Sequence, residues 1–303
     1  MSRNGNGQAR TVASSYEDVT RRIVALGGEE YGRSVEDEPL WRVTSGAPRG
    51  APTILVVGGL HAMEHVGTLA ALTLAERVAA GAASPAWRGR RLVVAPLANP
   101  DGFRAVQRAR AAGSRRFMRA NARGVDLNRN FAAHWNDSHW LTRALPRVFA
   151  PGAGPLSEPE TAALDALAAA ERPSVVISLH AFGEWIYLPW AGSRASPPEQ
   201  GAMLALAGAA TARQARPYKI APLGQRSRLF VAHGAEIDHF HERFGAWTFL
   251  FEIGAGPRAA DPGSWFDPYR WYTPREDLLQ RDLDNLLPAL DAFAEAELPL
   301  RAS

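Results

Sequence analysis

A chain of 303 residues that is 46% hydrophobic and 21% charged can build one large core, or at most two, under an ordinary globular surface. It has no cysteine, which excludes disulfides, thiolate metal ligands and a cysteine nucleophile, so any metal site must use His, Asp or Glu. The formal net charge is only +3, carried by arginine apart from the single Lys219, and so modest an excess argues against a nucleic-acid partner.

Residues 1–14 are polar and rich in Gly and Asn, with no apolar h-region; they read as a disordered tail and not as a signal peptide. No apolar run is long enough to span a bilayer, and the expected location is cytoplasmic. Residues 16–26 have helical apolar spacing. Residues 31–34 read as a turn, 40–43 as a strand and 45–52 as a Gly/Pro loop. A buried strand over 53–57 leads through a loop into a helix at about 67–80. A strand over 91–97 ends in the turn Asn99-Pro100-Asp101-Gly102. The arginine-dense stretch 104–123 reads as loop with a helical piece near 105–111. A helix opens at Ser157, its N-cap, with Glu160 completing a capping box, and runs to about Ala170. Strands over 174–179 and 185–188, a helix over 198–215, a strand over 247–252 and an amphipathic helix over 278–298 complete the chain. The alternation predicts an α/β fold: a single-domain mixed, mostly parallel sheet over residues 15–303, covered by helices on both faces.

The chemistry gathers at strand ends, where open α/β sheets bind their ligands. His61 and Glu64 lie between the 53–57 strand and the helix after it. An imidazole and a carboxylate three residues apart can reach one zinc ion from a single turn, although an isolated His-x-x-Glu is more often a surface pair. Two further strand ends carry His180 and Glu252. A catalytic zinc takes three protein ligands and keeps a position open for water. His61, Glu64 and His180 supply a two-histidine, one-carboxylate set, which leaves Glu252 as general base for the water on the metal. Singly, His180 would be a core histidine and Glu252 an ion-pair partner; their joint occurrence sets those readings aside. A fourth element, Gly124-Val125-Asp126-Leu127-Asn128-Arg129-Asn130-Phe131, places an arginine fork beside an asparagine amide, a pairing suited to a carboxylate. Asp126 reads there as a turn residue. Arg119 lies upstream, among arginines that read as a solvated face.

Together these pieces resemble the M14 zinc metallocarboxypeptidases, the funnelin family of carboxypeptidase A and B, in order and rough spacing over about residues 30–300. The resemblance implies one zinc held by His61, Glu64 and His180. It implies that Arg119 polarises the scissile carbonyl and stabilises the oxyanion. Asn128 and Arg129 clamp the substrate's terminal carboxylate, and Glu252 carries a proton from water to the leaving amine. The expected substrate is a peptide or small acyl-amino acid with a free C-terminal carboxylate, with no nucleic-acid or membrane partner. There are departures. Phe230 stands where the family has a tyrosine that caps the bound substrate. Met63 precedes Glu64 where the animal digestive enzymes have arginine, and Ala181-Phe182 replaces the usual Ser-Tyr. The short loop between Arg119 and Asn128 is similar to that of the bacterial murein-peptide amidases of the same family. Ile237 falls at the base of the family's specificity pocket, which implies an apolar or aromatic released residue; Glu236, Asp238, Arg226 and Arg228 lie close enough in sequence to change that. Non-proline cis bonds are expected at Ala181–Phe182 and Gly254–Ala255, with Pro189–Trp190 a further candidate, and no zymogen segment is expected.

Three rivals follow from the same residues. His61-Ala62-Met63-Glu64-His65 also spells the H-x-x-E-H of inverzincins, but Gly58-Gly59 puts His61 at a helix entrance, and the Asn-Arg pair would have no role. A serine hydrolase is disfavoured because no G-x-S-x-G occurs. A catalytically weak carboxylate-binding homologue is the reading from another class, favoured by Phe230 and opposed by Glu252.

Overall fold

A computed structural model describes residues 15–136, 144–145, 148–226, 231–257 and 259–298. The expected disorder of residues 1–14, and Phe230 and Arg228, lie outside the described residues. In chain order the elements are α1 (Tyr16–Ala25), β1 (Glu29–Arg33), β2 (Pro39–Gly46), β3 (Thr53–Gly58), α2 (His65–Ala79), β4 (Arg91–Ala95) and α3 (Pro100–Ala111). They continue with α4 (Pro159–Glu171), β5 (Val175–His180), β6 (Trp185–Leu188), α5 (Gln200–Thr211), β7 (Lys219–Pro222), α6 (Glu236–Phe244), β8 (Trp247–Glu252), α7 (Tyr269–Tyr272) and α8 (Glu276–Glu295).

The eight strands form one sheet in the order β1-β2-β4-β3-β5-β8-β6-β7. The run β4-β3-β5-β8 is parallel throughout, and β1–β2, β2–β4 and β6–β8 are antiparallel, so the sheet is mixed and mostly parallel, as expected. The central strands are apolar on both sides because both sides are covered. Along β3, Ile54 and Val56 join one core with residues of α2, α5 and α8. The alternate residues Leu55 and Val57 join a second core with Leu164, Leu167 and Ala168 of α4 and Phe240 of α6.

Several local expectations are corrected. Residues 31–34 do not form a turn; residues 31–33 belong to β1, an edge strand paired with β2. The Asn99–Gly102 turn is the first turn of α3: Pro100 occupies its first position, and the Asn99 side chain accepts from Gly102 N at 2.9 Å. The Ser157 capping box does not form. Helix α4 starts at Pro159 after Glu158, and Ser157 Oγ instead accepts from Asn130 Nδ2 (2.9 Å) and donates to Glu158 (3.0 Å). Strand β7 and helix α6 have no counterpart among the elements expected from the sequence. The bonds Ala181–Phe182 and Pro189–Trp190 are cis; Gly254–Ala255 is not.

Candidate active site

Strand order decides what meets. Because β5 lies between β3 and β8, the carboxyl ends of all three adjoin: Gly58 pairs with Leu179, and His180 pairs with Glu252. A turn carries His61 and Glu64 from the end of β3 to the start of α2. Gly58 and Gly67 meet at the start of that turn: a Cβ on Gly58 would stand 2.8 Å from the Gly67 oxygen, and one on Gly67 would stand 2.2 Å from the Leu179 oxygen.

Three buried side chains converge there. His61 Nδ1 is 2.8 Å from Glu64 Oε1, His180 Nδ1 is 2.9 Å from Glu64 Oε2, and the two Nδ1 atoms are 3.0 Å apart. The outer nitrogen of each ring meets a different carboxylate. His180 Nε2 lies 2.6 Å from Glu236 Oε1, and His61 Nε2 lies 3.3 Å from Asp126 Oδ1, off the line of a hydrogen bond. Such carboxylates hold the proton on the outer nitrogen and leave the inner one as a lone pair. Two lone pairs and a carboxylate pressed together, with ligand atoms all within 4.8 Å, fit a metal better than a hydrogen-bond network. In the metal-free protein burial would raise the Glu64 carboxyl, but the positive charge of the His61 and His180 rings, which a metal ion would replace, outweighs it and holds it well below the usual range.

Asp126 and Glu236 carry roles that the sequence alone does not assign to them. Asp126 is fully buried, and burial would raise its carboxyl; Arg119, whose Nε donates to Oδ2 at 2.7 Å, holds it far below the usual range. The same Asp126 accepts from Asn128 N at 3.0 Å. Glu236, at the start of α6, takes Ser178 Oγ at 2.6 Å as well as His180, and its own N donates to Asn128 Oδ1 at 2.9 Å. The signal for Asp126 is the polar, apolar, polar alternation of 126–130. Glu236 is marked in the sequence only as a neighbour of Ile237; the signal for its helix is the helical spacing of Ile237, Phe240 and Phe244.

Glu252 lies beside the triad and is not part of it. Its Oε2 is buried without a hydrogen-bond partner. The carboxyl is pushed up to about 8, by burial first and then by the Glu64 charge, while His180, Arg119 and Arg226 pull it down. Burial lowers the Arg119 guanidinium, but Asp126 and Glu64 reverse that and raise it. Arg129 is drawn down to about 10 by burial; its Nη1 donates to Asn128 O at 2.5 Å, and its guanidinium lies 5.4 Å from the Phe149 ring centre. Asn128 Nδ2 reaches Glu236 only at 3.5 Å. Ile237 is fully buried against Tyr187, Ala191, Ala232, Ala235 and Leu250. Tyr272, which nothing in the sequence singles out, packs between Phe182 (5.4 Å) and Phe117 (6.1 Å), close enough to the site to feel the Glu64, Arg119 and Glu252 charges.

His65 is excluded from the metal set. It stacks on Phe103 at 3.8 Å, its Nδ1 meets the Tyr269 hydroxyl at 3.2 Å, and burial drives its pKa down to about 3. It is a core histidine, and the inverzincin reading falls with it.

Two histidines and a carboxylate at neighbouring strand ends of an α/β sheet define a mononuclear zinc centre of the catalytic type. The comparison with known proteins agrees: the zinc carboxypeptidase family model matches residues 9–287, and the chain belongs to that family, whose members bind one zinc. It is 36% identical over 162 residues to murein peptide amidase A of Escherichia coli K12, an alignment covering 51% of this chain and 59% of the relative. The chain spans between about half and two thirds of the length of the curated relatives it matches. Bovine thrombin-activatable fibrinolysis inhibitor, solved in complex with tick carboxypeptidase inhibitor, shares the fold with a TM-score of 0.76 at 20% identity, over 95% of this chain and 97% of that one. The murein-tripeptide amidase MpaA from Escherichia coli O157 superimposes with a TM-score of 0.52 at 26% identity, over 86% and 91%. Among the described residues no helix is long and apolar enough to cross a membrane.

Proposed function

We propose that this chain is a metallocarboxypeptidase that hydrolyses the amide bond of the terminal residue in a peptide or small acyl-amino acid. The observation that carries this reading is the His61–Glu64–His180 donor set lying against a Glu252 carboxyl whose Oε2 is buried and unpartnered. Zinc held by that set supplies Lewis acidity and brings the pKa of a water toward neutrality. Glu252 takes the proton of the attacking water and returns it to the leaving amine, a task for which a carboxylate with a buried, unpartnered oxygen beside the donor set is suited. Arg119, anchored through Nε to Asp126, directs its positive charge at the developing oxyanion. Arg129, backed by Phe149, takes the terminal carboxylate with Asn128 beside it. Ile237 forms the apolar floor against which the released side chain rests. Phe230 brings no hydroxyl to the bound substrate, which leaves the carboxylate clamp to Arg129 and Asn128.

The test is a mass-spectrometric screen of peptides that differ only at the C-terminal residue, each as free acid and as amide. Release of one residue from the free acids alone, abolished by a chelator and restored by zinc, is expected. Equal cleavage of the amides contradicts the clamp, and no cleavage by zinc-loaded protein contradicts the hydrolase. A murein-peptide amidase activity is the second reading, supported by the 36% identity to murein peptide amidase A; a murein peptide in the same screen separates the two.

A further inference from the structure

Beside Glu252, on the β6–β7 side, lies a cation to which the chemistry above gives no contact with substrate. Trp185 pairs with Glu252 across β6 and β8, and its ring stacks on Tyr187 at 5.4 Å with an interplanar angle of 9°. The Arg226 guanidinium lies 4.7 Å from the Trp185 ring centre and 5.5 Å from that of Tyr187. Tyr187 also belongs to the cluster around Ile237. Arg226 thus stands at the rim of the wall against which the released side chain is proposed to rest.

The turn that carries Arg226 is fixed. Gly224 N donates to Trp190 O at 2.7 Å, and a Cβ on Gly224 would stand 2.0 Å from Ser193 O. Gln225 Nε2 adds bonds to Arg194 O (3.4 Å) and Ser196 Oγ (3.2 Å). The side chain itself is exposed, and among the described residues no carboxylate lies within ion-pair distance of it. Arginine over aromatic faces is a preorganised receptor for a carboxylate. Glu252 feels its charge but lies beyond ion-pair distance, and the other two acidic residues near this wall, which could have welcomed a basic side chain, are engaged elsewhere. Glu236 is held by His180 and Ser178. Asp238 accepts from Ala191 N (2.6 Å) and Gly192 N (2.8 Å) and meets His134 Nδ1 at 2.8 Å.

We propose that Arg226 is a specificity-determining residue that binds a second carboxylate, on the side chain of the released residue, so that acidic C-terminal residues are preferred. This rests on the carboxypeptidase reading and refines the apolar preference implied by Ile237: methylenes lie on Tyr187 and Leu250, and the charged end meets Arg226.

The test is calorimetric binding of N-acetyl-glutamate and N-acetyl-glutamine to the zinc-loaded protein, with hydrolysis of acyl-dipeptides ending in Glu, Gln and Lys run in parallel. The parent is expected to bind the glutamate at least about tenfold tighter, the scale of a charge-assisted hydrogen-bonded pair. Arg226→Gln should bring that ratio to about one, Arg226→Lys should keep part of it, and Arg226→Glu should favour C-terminal Lys. A parent that does not discriminate, or an Arg226→Gln variant that keeps the parent's ratio, overturns the proposal. If no peptide is hydrolysed while the Arg226-dependent binding ratio persists, the carboxypeptidase reading fails and the recognition site stands.

Discussion

Glu171 and Glu252 are both acidic ends of regular elements, yet the fold treats them in opposite ways. Glu171 closes α4, the helix that leads into β5, and meets three guanidinium groups: Arg42 at 2.6 Å, Arg49 at 3.0 Å and Arg91 at 2.7 Å. Burial would raise its carboxyl, but the arginines, Arg91 foremost, hold it below the usual value. Glu252 ends β8 and has one buried oxygen with no partner, and its carboxyl is pushed up to about 8. A structural charge is paired until it no longer responds to its surroundings. A carboxyl left beside a donor set with a free buried oxygen is what the proposed proton carrier requires.

The sharpest way to break this contrast is at the metal. His180→Ala should abolish stoichiometric zinc binding and reduce hydrolysis to background, with zinc measured by atomic absorption after dialysis; a variant that keeps one zinc per chain contradicts the donor set. Next comes Glu236→Gln, which weakens the hold on His180 Nε2 without touching an inner nitrogen. Zinc affinity should fall by about 10–100-fold in a chelator competition. An unchanged affinity would mean that Glu236 serves only Ser178 and Asn128.

At the other end of the comparison, Glu171→Gln should cost roughly 1–3 kcal/mol in denaturant unfolding, because three arginines lose their common partner. Zinc content and turnover should not move. The pH dependences should also differ in sign. A carboxyl with a depressed folded pKa contributes stability that is present above the unfolded value of about 4.3 and lost as pH falls through the folded value. Glu171→Gln should therefore flatten the acid limb of the stability curve. Glu252 is the reverse. In metal-free protein its proton is kept on folding, so stability declines as pH rises from about 4.3 to about 8. Glu252→Gln should remove that decline and leave the metal-free variant about 1–2 kcal/mol more stable than the parent above pH 8, after allowance for solvent screening. Parallel pH profiles for the two variants would dissolve the distinction.

Much of the fold and of the site is legible in the amino-acid sequence. Thr53 to Val57 reads as a strand covered on both faces because every residue is apolar or β-branched, and the glycines after it require a sharp exit. His61, Glu64, His180 and Glu252 stand out because each follows or ends such a run. The role of Glu236 escapes notice for a physical reason: the residues before α6 lack a polar cap, since Ala235 holds the N-cap position, and the carboxylate is defined only by contacts to β5. Asn99-Pro100-Asp101-Gly102 illustrates the other limit, because turn residues and helix-starting residues are the same chemistry. Asp126 reads as a turn residue and is one, through Asn128 N, while its second oxygen binds Arg119. One side chain thus fills both a local and a distant role, and only the local one is written in the spacing.

The central claim is that Glu252 moves the proton and does not hold the metal. The most direct measurement is single-turnover hydrolysis of a free-acid peptide by zinc-loaded Glu252→Gln, with zinc content determined on the same sample. The account predicts one zinc per chain, unchanged affinity for a substrate-like carboxylate, and a rate about 10²–10⁴-fold below the parent. Loss of the metal, or a rate within a few-fold of the parent, would contradict it.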